Sequence, residues 1–178
     1  MTAELFIQYL VAGITYGSIY AIVAIGFNII YNTTGIINFA QGEFVMLGGM
    51  LSITFLPYLP LPLAISLAVL VTMGIGAAIE MLFIRWLKDP GVLRMIIITI
   101  GLSILIREAA LHVWGANVRS LPYFFGNEIS TFAILGARVS PQVLWVIGTC
   151  GLMVVALNMF FQATSIGREM RACAANRV

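Results

Sequence analysis

Residues 31–50 read YNTTGIINFAQGEFVMLGGM, and Asn38, Gln41 and Glu43 set two side-chain amides and a carboxylate among long apolar runs. Amides donate and accept hydrogen bonds, while an ionised carboxylate only accepts them and brings a negative charge. A charge at the centre of a bilayer costs about 2.5–3.5 kcal/mol on insertion scales, so Glu43 is expected to face protein or a wet cavity rather than lipid. Gly35 and Gly42 stand on either side of the polar group. Glycine weakens a helix, which predicts a broken helix around residues 35–45 with exposed backbone polar groups. Asn28, Gly35, Asn38, Gln41, Gly42 and Glu43 are therefore candidates for a solute path or for the break itself. A second reading stands beside it, in which the same groups form a buried polar clamp between two helices.

The remaining ionisable groups point to anchoring more than to catalysis. Glu80 lies near the end of an apolar run and can snorkel toward Arg85 or Lys88. Arg107 and Glu108 are adjacent, so on a helix they face directions about 100° apart and do not pair simply with each other. Glu108 and His112, four apart, share a face and suit a hydrogen-bonded rim, since a metal or catalytic site would need further ligands. The sequence holds one histidine and none of the patterns HExxH, GxSxG or GxxxxGK[ST]. The common hydrolytic and phosphate-cradling devices are thus missing, and any nucleotide hydrolysis has to come from another chain. Cys150 lies in an apolar run and Cys173 in a basic one, which gives no disulfide framework.

Composition defines the solvent in which these groups act. Of the 178 residues 61% are hydrophobic and 9% charged, the mean hydropathy is +1.05, and a soluble domain would carry far more charge. The net charge of +2 is too small to argue for nucleic acid. Five apolar stretches, residues 5–30, 36–56, 61–84, 95–114 and 141–161, are each about the length of a bilayer crossing. Because unpaired backbone groups are not tolerated in lipid, these must be helices. The expected fold class is all-α, a polytopic transmembrane helical bundle in a single membrane domain. Residues 115–140 alternate turn residues with short apolar groups and read as an ordered external loop holding short strands or an interfacial helix. Gly13, Gly17 and Ala21, at spacing four, form a small-residue stripe suited to helix packing, and Tyr16, Tyr20 and Asn28 can add interhelical hydrogen bonds or line a path.

Arg85, Lys88 and Arg94 surround one acid, and Arg168, Arg171 and Arg177 surround another, so both segments read as cytoplasmic. With five crossings the N-terminus is then external, and if residues 35–50 dip in and return it is cytoplasmic. Glu4 precedes the first apolar run without any Lys or Arg, so that run is expected to act as its own insertion signal rather than as a cleaved leader. In the terminal segment, residues 162–178, Gly167 precedes Arg168, Glu169, Arg171, Ala172, Ala174 and Ala175. This pattern suits a compact amphipathic helix on the cytoplasmic face, able to dock in a partner's groove, or an ordinary basic loop.

The stretch GFNIIYNTTGIINFAQGEFVMLGGM, residues 26–50, resembles the signature region of the permease subunits of bacterial branched-chain amino acid ABC importers, of the H type. TSIGREMRACAANR, residues 164–177, is similar to the cytoplasmic coupling segment of those permeases, and GSIYAIVAIGFN, residues 17–28, extends the likeness toward the start. The resemblance implies a multi-pass permease of the bacterial inner membrane that moves branched-chain or other hydrophobic amino acids. Implied partners are a second homologous permease, two cytoplasmic ATPase subunits, a periplasmic substrate-binding protein and the lipid bilayer. No cofactor is expected on this chain, because ATP would be used by the ATPases. Gly167, Arg168, Glu169, Arg171, Ala172, Ala175 and Asn176 would form the coupling helix seated on an ATPase, and residues 35–43 would belong to a broken helix beside the path. Members of the family continue through several more helices, so a chain ending at Val178 is expected to be truncated on its C-terminal side. A related importer family carries urea or short amides, and the residues alone also leave open a channel or secondary carrier for small polar solutes and a membrane scaffold that transports nothing.

Overall fold

The computed structural model describes residues 3–86, 91–124, 131–134, 137–165 and 167–169. Its elements are α1 (Ala3–Thr34), α2 (Gln41–Phe55), α3 (Leu61–Ile79), a π-helical turn (Glu80–Ile84), α4 (Val92–Trp114), strands β1 (Phe132–Ile134) and β2 (Ala137–Val139), and α5 (Pro141–Ala163). Four stretches, Glu4–Tyr31, Leu61–Ile84, Val92–Trp114 and Pro141–Ala163, are long and apolar enough to cross a membrane. The expected polytopic helical bundle is therefore what the chain forms, with one small hairpin added. The segment read as a second crossing, residues 36–56, differs: only 15 of its residues are α-helical, which at the α-helical rise is about 22 Å and short of a full hydrocarbon layer.

The chain divides into two compact units. In the first, α1 packs on α5 and on β2. The strands pair antiparallel with Phe132 opposite Val139 and Ile134 opposite Ala137, so the described part of residues 115–140 includes short strands. Val139 is buried, and the Phe124 ring stacks on Trp145 at 5.5 Å just beyond the hairpin. Proline begins α5 at its first position, where a missing N–H costs nothing. In α1 the hydroxyls of Thr15 and Ser18 donate back to Val11 O and Ile14 O. Tyr16 and Tyr20 are exposed, and no atom lies within 4 Å of where a Cβ would stand on Gly13 or Gly17. Among the described residues, none therefore packs against the two glycines of the small-residue stripe.

The second unit holds α2, α3 and α4. The prolines between α2 and α3 make a tight turn, with Pro60 capping α3 in an extended conformation. Buried residues of α4 recur at Met95, Thr99, Leu102, Ile106 and Ala110, the three-and-four spacing of one helical face. Leu102 and Ile106 form a cluster with Ala40 and Leu47, joined by the half-buried Phe44, Ile75 and Ile79. α3 reaches α2 closely, since a Cβ on Gly76 would lie 3.7 Å from the Phe44 ring. Elsewhere large apolar side chains such as Leu82, Leu93 and Leu152 stand exposed. Surfaces this apolar are covered by lipid or by protein.

Candidate functional site

A helix break follows Gly35, one of the two glycines expected to flank it, whereas Gly42 lies inside α2 as its second residue and does not bound the break. α1 ends at Thr34 and Gly35 takes φ 74°, a left-handed conformation that costs other residues about 1–2 kcal/mol. Gly35 N–H still donates to Tyr31 O at 2.8 Å, closing the last turn. The next helix begins at Gln41 after Ala40, which is 2% exposed and offers no side-chain cap. Asn38 supplies what Ala40 lacks: its Oδ1 accepts the Ala40 N–H at 3.0 Å, and its carbonyl accepts the Gln41 N–H at 3.2 Å. Asn38 therefore acts here as a local tie, fastening the break to the start of α2, as asparagine side chains do in turns.

Glu43 is the third residue of α2 and only 7% exposed. Its Oε1 accepts from Arg107 Nη2 at 2.5 Å and from Ser103 Oγ at 3.1 Å. Ser103 and Arg107 are four apart on α4, so they share a face and can grip one oxygen together. A carboxylate in the first turn of α2 is also favoured by the positive end of the helix dipole. The pair is asymmetric, for the Arg107 side chain is 61% exposed while that of Glu43 is 9% exposed.

The seam continues along both helices. Leu47 meets Leu102 and Ile106, and farther on Trp114 Nε1 donates to Thr54 Oγ1 at 2.8 Å. Because Glu43 pairs with Ser103 and Arg107 while Thr54 pairs with Trp114, α2 and α4 run in the same sense with α3 returning between them. Ser103 is the middle residue of α4, which spans Val92–Trp114. The start of α2 and its carboxylate thus lie beside the middle of α4, the level that would be mid-depth with this crossing-length helix centred in the layer. Discontinuous helices at that depth are where transport proteins bind solutes.

The other predicted residues separate. Asn28 lies on α1 in the first unit, at a shallow cleft of about 170 Å³ that it shares with Ile25, Ile29, Val154, Leu157, Asn158 and Phe161. Gln41 is half-buried and Gly42 is exposed, the latter with open space where a Cβ would point. Glu80 is exposed and opens the π-helical turn, its carbonyl accepting the Arg85 N–H at 2.9 Å. Glu108 and His112 are both exposed. Sequence reasoning weighed Arg107 only against its neighbour Glu108 and passed over Ser103. The spacing of four between Ser103 and Arg107 was legible, but nothing local pointed across 60 residues to Glu43.

At the terminal segment, helix α5 stops at Ala163 and Thr164 becomes extended, φ −90° and ψ 146°. Thr164 Oγ1 donates to Phe160 O at 2.6 Å and accepts the Gly167 N–H at 3.0 Å. The threonine thus closes one helix and caps the next turn, which is why the pattern is Thr, two residues, then Gly. Gly167 is buried, and a Cβ there would lie 2.8 Å from Phe161 Cα, so only glycine fits. Arg168 and Glu169 are exposed next to it. Arg171, Ala172, Ala175 and Asn176 lie outside the described residues, as does Cys173, and Cys150 carries a free thiol.

Residues 9–178 match the family described as "Branched-chain amino acid transport system / permease component". The chain is 32% identical over 181 residues to the high-affinity branched-chain amino acid transport system permease protein BraD of Pseudomonas aeruginosa, covering 95% of this chain and 59% of that protein. It is 28% identical over 183 residues to the permease protein LivH of the corresponding system in Salmonella typhimurium and in Escherichia coli strain K12, with the same coverages. The chain thus spans 59% of the length of these curated relatives. No solved structure is significantly similar to it. With four apolar helices of crossing length and a match running from residue 9 to residue 178, the chain is a multi-pass membrane protein that belongs to the branched-chain amino acid transport permease family.

Proposed function

We propose that this chain serves as a permease subunit of an ATP-driven importer in the bacterial inner membrane, moving branched-chain and other hydrophobic amino acids inward. The observation that carries the reading is the family match across residues 9–178. The geometry agrees with it: an ionic pair is held near the middle of α4 beside a helix break, where a polar solute would need partners. In this reading the chain does no covalent chemistry. A second, homologous permease completes the path, two ATPase subunits hydrolyse ATP, and a periplasmic binding protein delivers the solute. The segment from Gly167 through Arg168 and Glu169 to Asn176 would seat on an ATPase, with Thr164 fixing its departure from α5. ATP-driven closure of the ATPases would move the permeases between outward-open and inward-open states, and coupling requires that the solute interact differently with the two.

The test is uptake of radiolabelled leucine by proteoliposomes carrying the assembled transporter. Uptake should need ATP and the binding protein together. Uptake that continued without ATP and followed a proton or sodium gradient would make the chain part of a secondary carrier. Uptake of urea or acetamide in place of leucine would assign the related amide importers.

A further inference from the structure

We infer that Arg107 presents the free edge of its guanidinium to the carboxylate of the transported amino acid, with Glu43 and Ser103 as the positioning residues that aim it. The inference rests on the import reading above and adds to it the group that meets the solute. A guanidinium has five N–H donors in a planar fork. Among the described residues Arg107 engages one nitrogen, Nη2, on Glu43, and its side chain is 61% exposed. The unused nitrogens form the kind of edge that takes a carboxylate through two parallel hydrogen bonds.

Position and charge narrow what that edge can meet. Arg107 stands four residues past the middle of α4, about 6 Å along its axis. That leaves it seven residues, about 10 Å, short of Trp114, deep enough in the crossing that a charged exposed face would meet a wet route or another protein surface rather than lipid tails. An oxyanion could also be a lipid phosphate, but phosphates lie at the membrane surface and not at mid-depth. Glu43 is itself nearly covered, 9% exposed at its side chain, and so cannot be the principal contact. Its role is to fix the guanidinium plane, with Ser103 holding the same Oε1 from the adjoining turn. Because Glu43 and Arg107 neutralise each other, an arriving carboxylate meets no net negative charge. The start of α2, whose N-terminal dipole is positive, adds to the local attraction. Every amino acid carries the carboxylate, so this contact would recognise the class of solute without choosing among side chains. Urea lacks the group and would not need the contact.

The experiment compares leucine uptake with ATP hydrolysis in the same proteoliposomes of the assembled transporter. Arg107→Gln leaves Glu43 without its cation, so the decision rests on the double variant Glu43→Gln/Arg107→Gln, which can keep an amide-to-amide hydrogen bond between α2 and α4. In the double variant, leucine moved per ATP should fall by about tenfold or more, the loss expected of a charge-assisted hydrogen bond, while co-purification and ATP hydrolysis hold. Arg107→Lys, a point charge without the fork, should fall in between. A double variant that assembles and keeps the wild-type ratio overturns the inference. So does an equal loss of uptake and hydrolysis, which would make the pair a clamp only, or a ratio restored by raising the phosphatidylglycerol content, which would assign the oxyanion to lipid. If the wild-type transporter takes up no leucine, the import reading fails and this inference fails with it.

Discussion

Glu43 shows how one side chain can be read half correctly from its neighbours. Its charge, set in an apolar run, required a protein or aqueous partner, and the partner is Arg107, 64 residues later. Leaving a buried acceptor unpaired costs about 1–3 kcal/mol, and here the exposed arginine places the effect toward the lower end. Glu80 carries the same charge but lies exposed at the π-helical turn. Glu43→Gln should therefore lower leucine uptake by the assembled transporter more than Glu80→Gln does, measured at matched membrane levels of the subunit. Equal losses would show that burial at the α2–α4 seam has no special part in transport. Asn38 was left between lining a path and tying the break; its one described side-chain bond is local, accepting the Ala40 N–H, and does not show a solute contact.

Helices were legible as elements because their apolar runs are long and in lipid no other regular structure satisfies the backbone within one segment. Their limits were less so. The second run was read as 36–56, yet α2 starts at Gln41, since the turn built on Asn38 and Gly35 takes up the intervening residues. The π-helical turn at Glu80–Ile84 has no simple pattern in the sequence. At the end of α5 the motif itself marked the boundary: Thr164 caps the following turn and Gly167 fits against Phe160 and Phe161. Thr164→Ala removes the cap and should cost about 1 kcal/mol of local stability, read as faster amide hydrogen exchange at Arg168 and Glu169. Gly167→Ala meets backbone rather than a yielding side chain, so its exchange should rise at least as much. Unchanged exchange in both variants would mean that the joint is not held by these contacts.

For the whole chain, the distribution of arginine and lysine predicts a topology that the helices can support. α3 with its π-helical turn, Leu61–Ile84, is long enough to cross, so Tyr58 and Trp86 should lie on opposite faces of the membrane. Single cysteines at these positions, in a background without Cys150 and Cys173, should differ in labelling by an impermeant maleimide, with position 86 protected from outside. Labelling of both from one side would overturn the crossing. Composition and the length of the apolar runs by themselves pointed to a helical membrane protein, since a mean hydropathy of +1.05 lies far from a soluble domain's and runs of crossing length must be helical in lipid, and its two separated polar motifs carried the resemblance. Tertiary structure alone decided which cation meets Glu43, that α2 and α4 run in the same sense, and that the helix break lies beside the middle of α4. Such facts depend on contacts between residues about 60 positions apart, and periodicity along a chain records which face of a helix is apolar but not which helix that face will find.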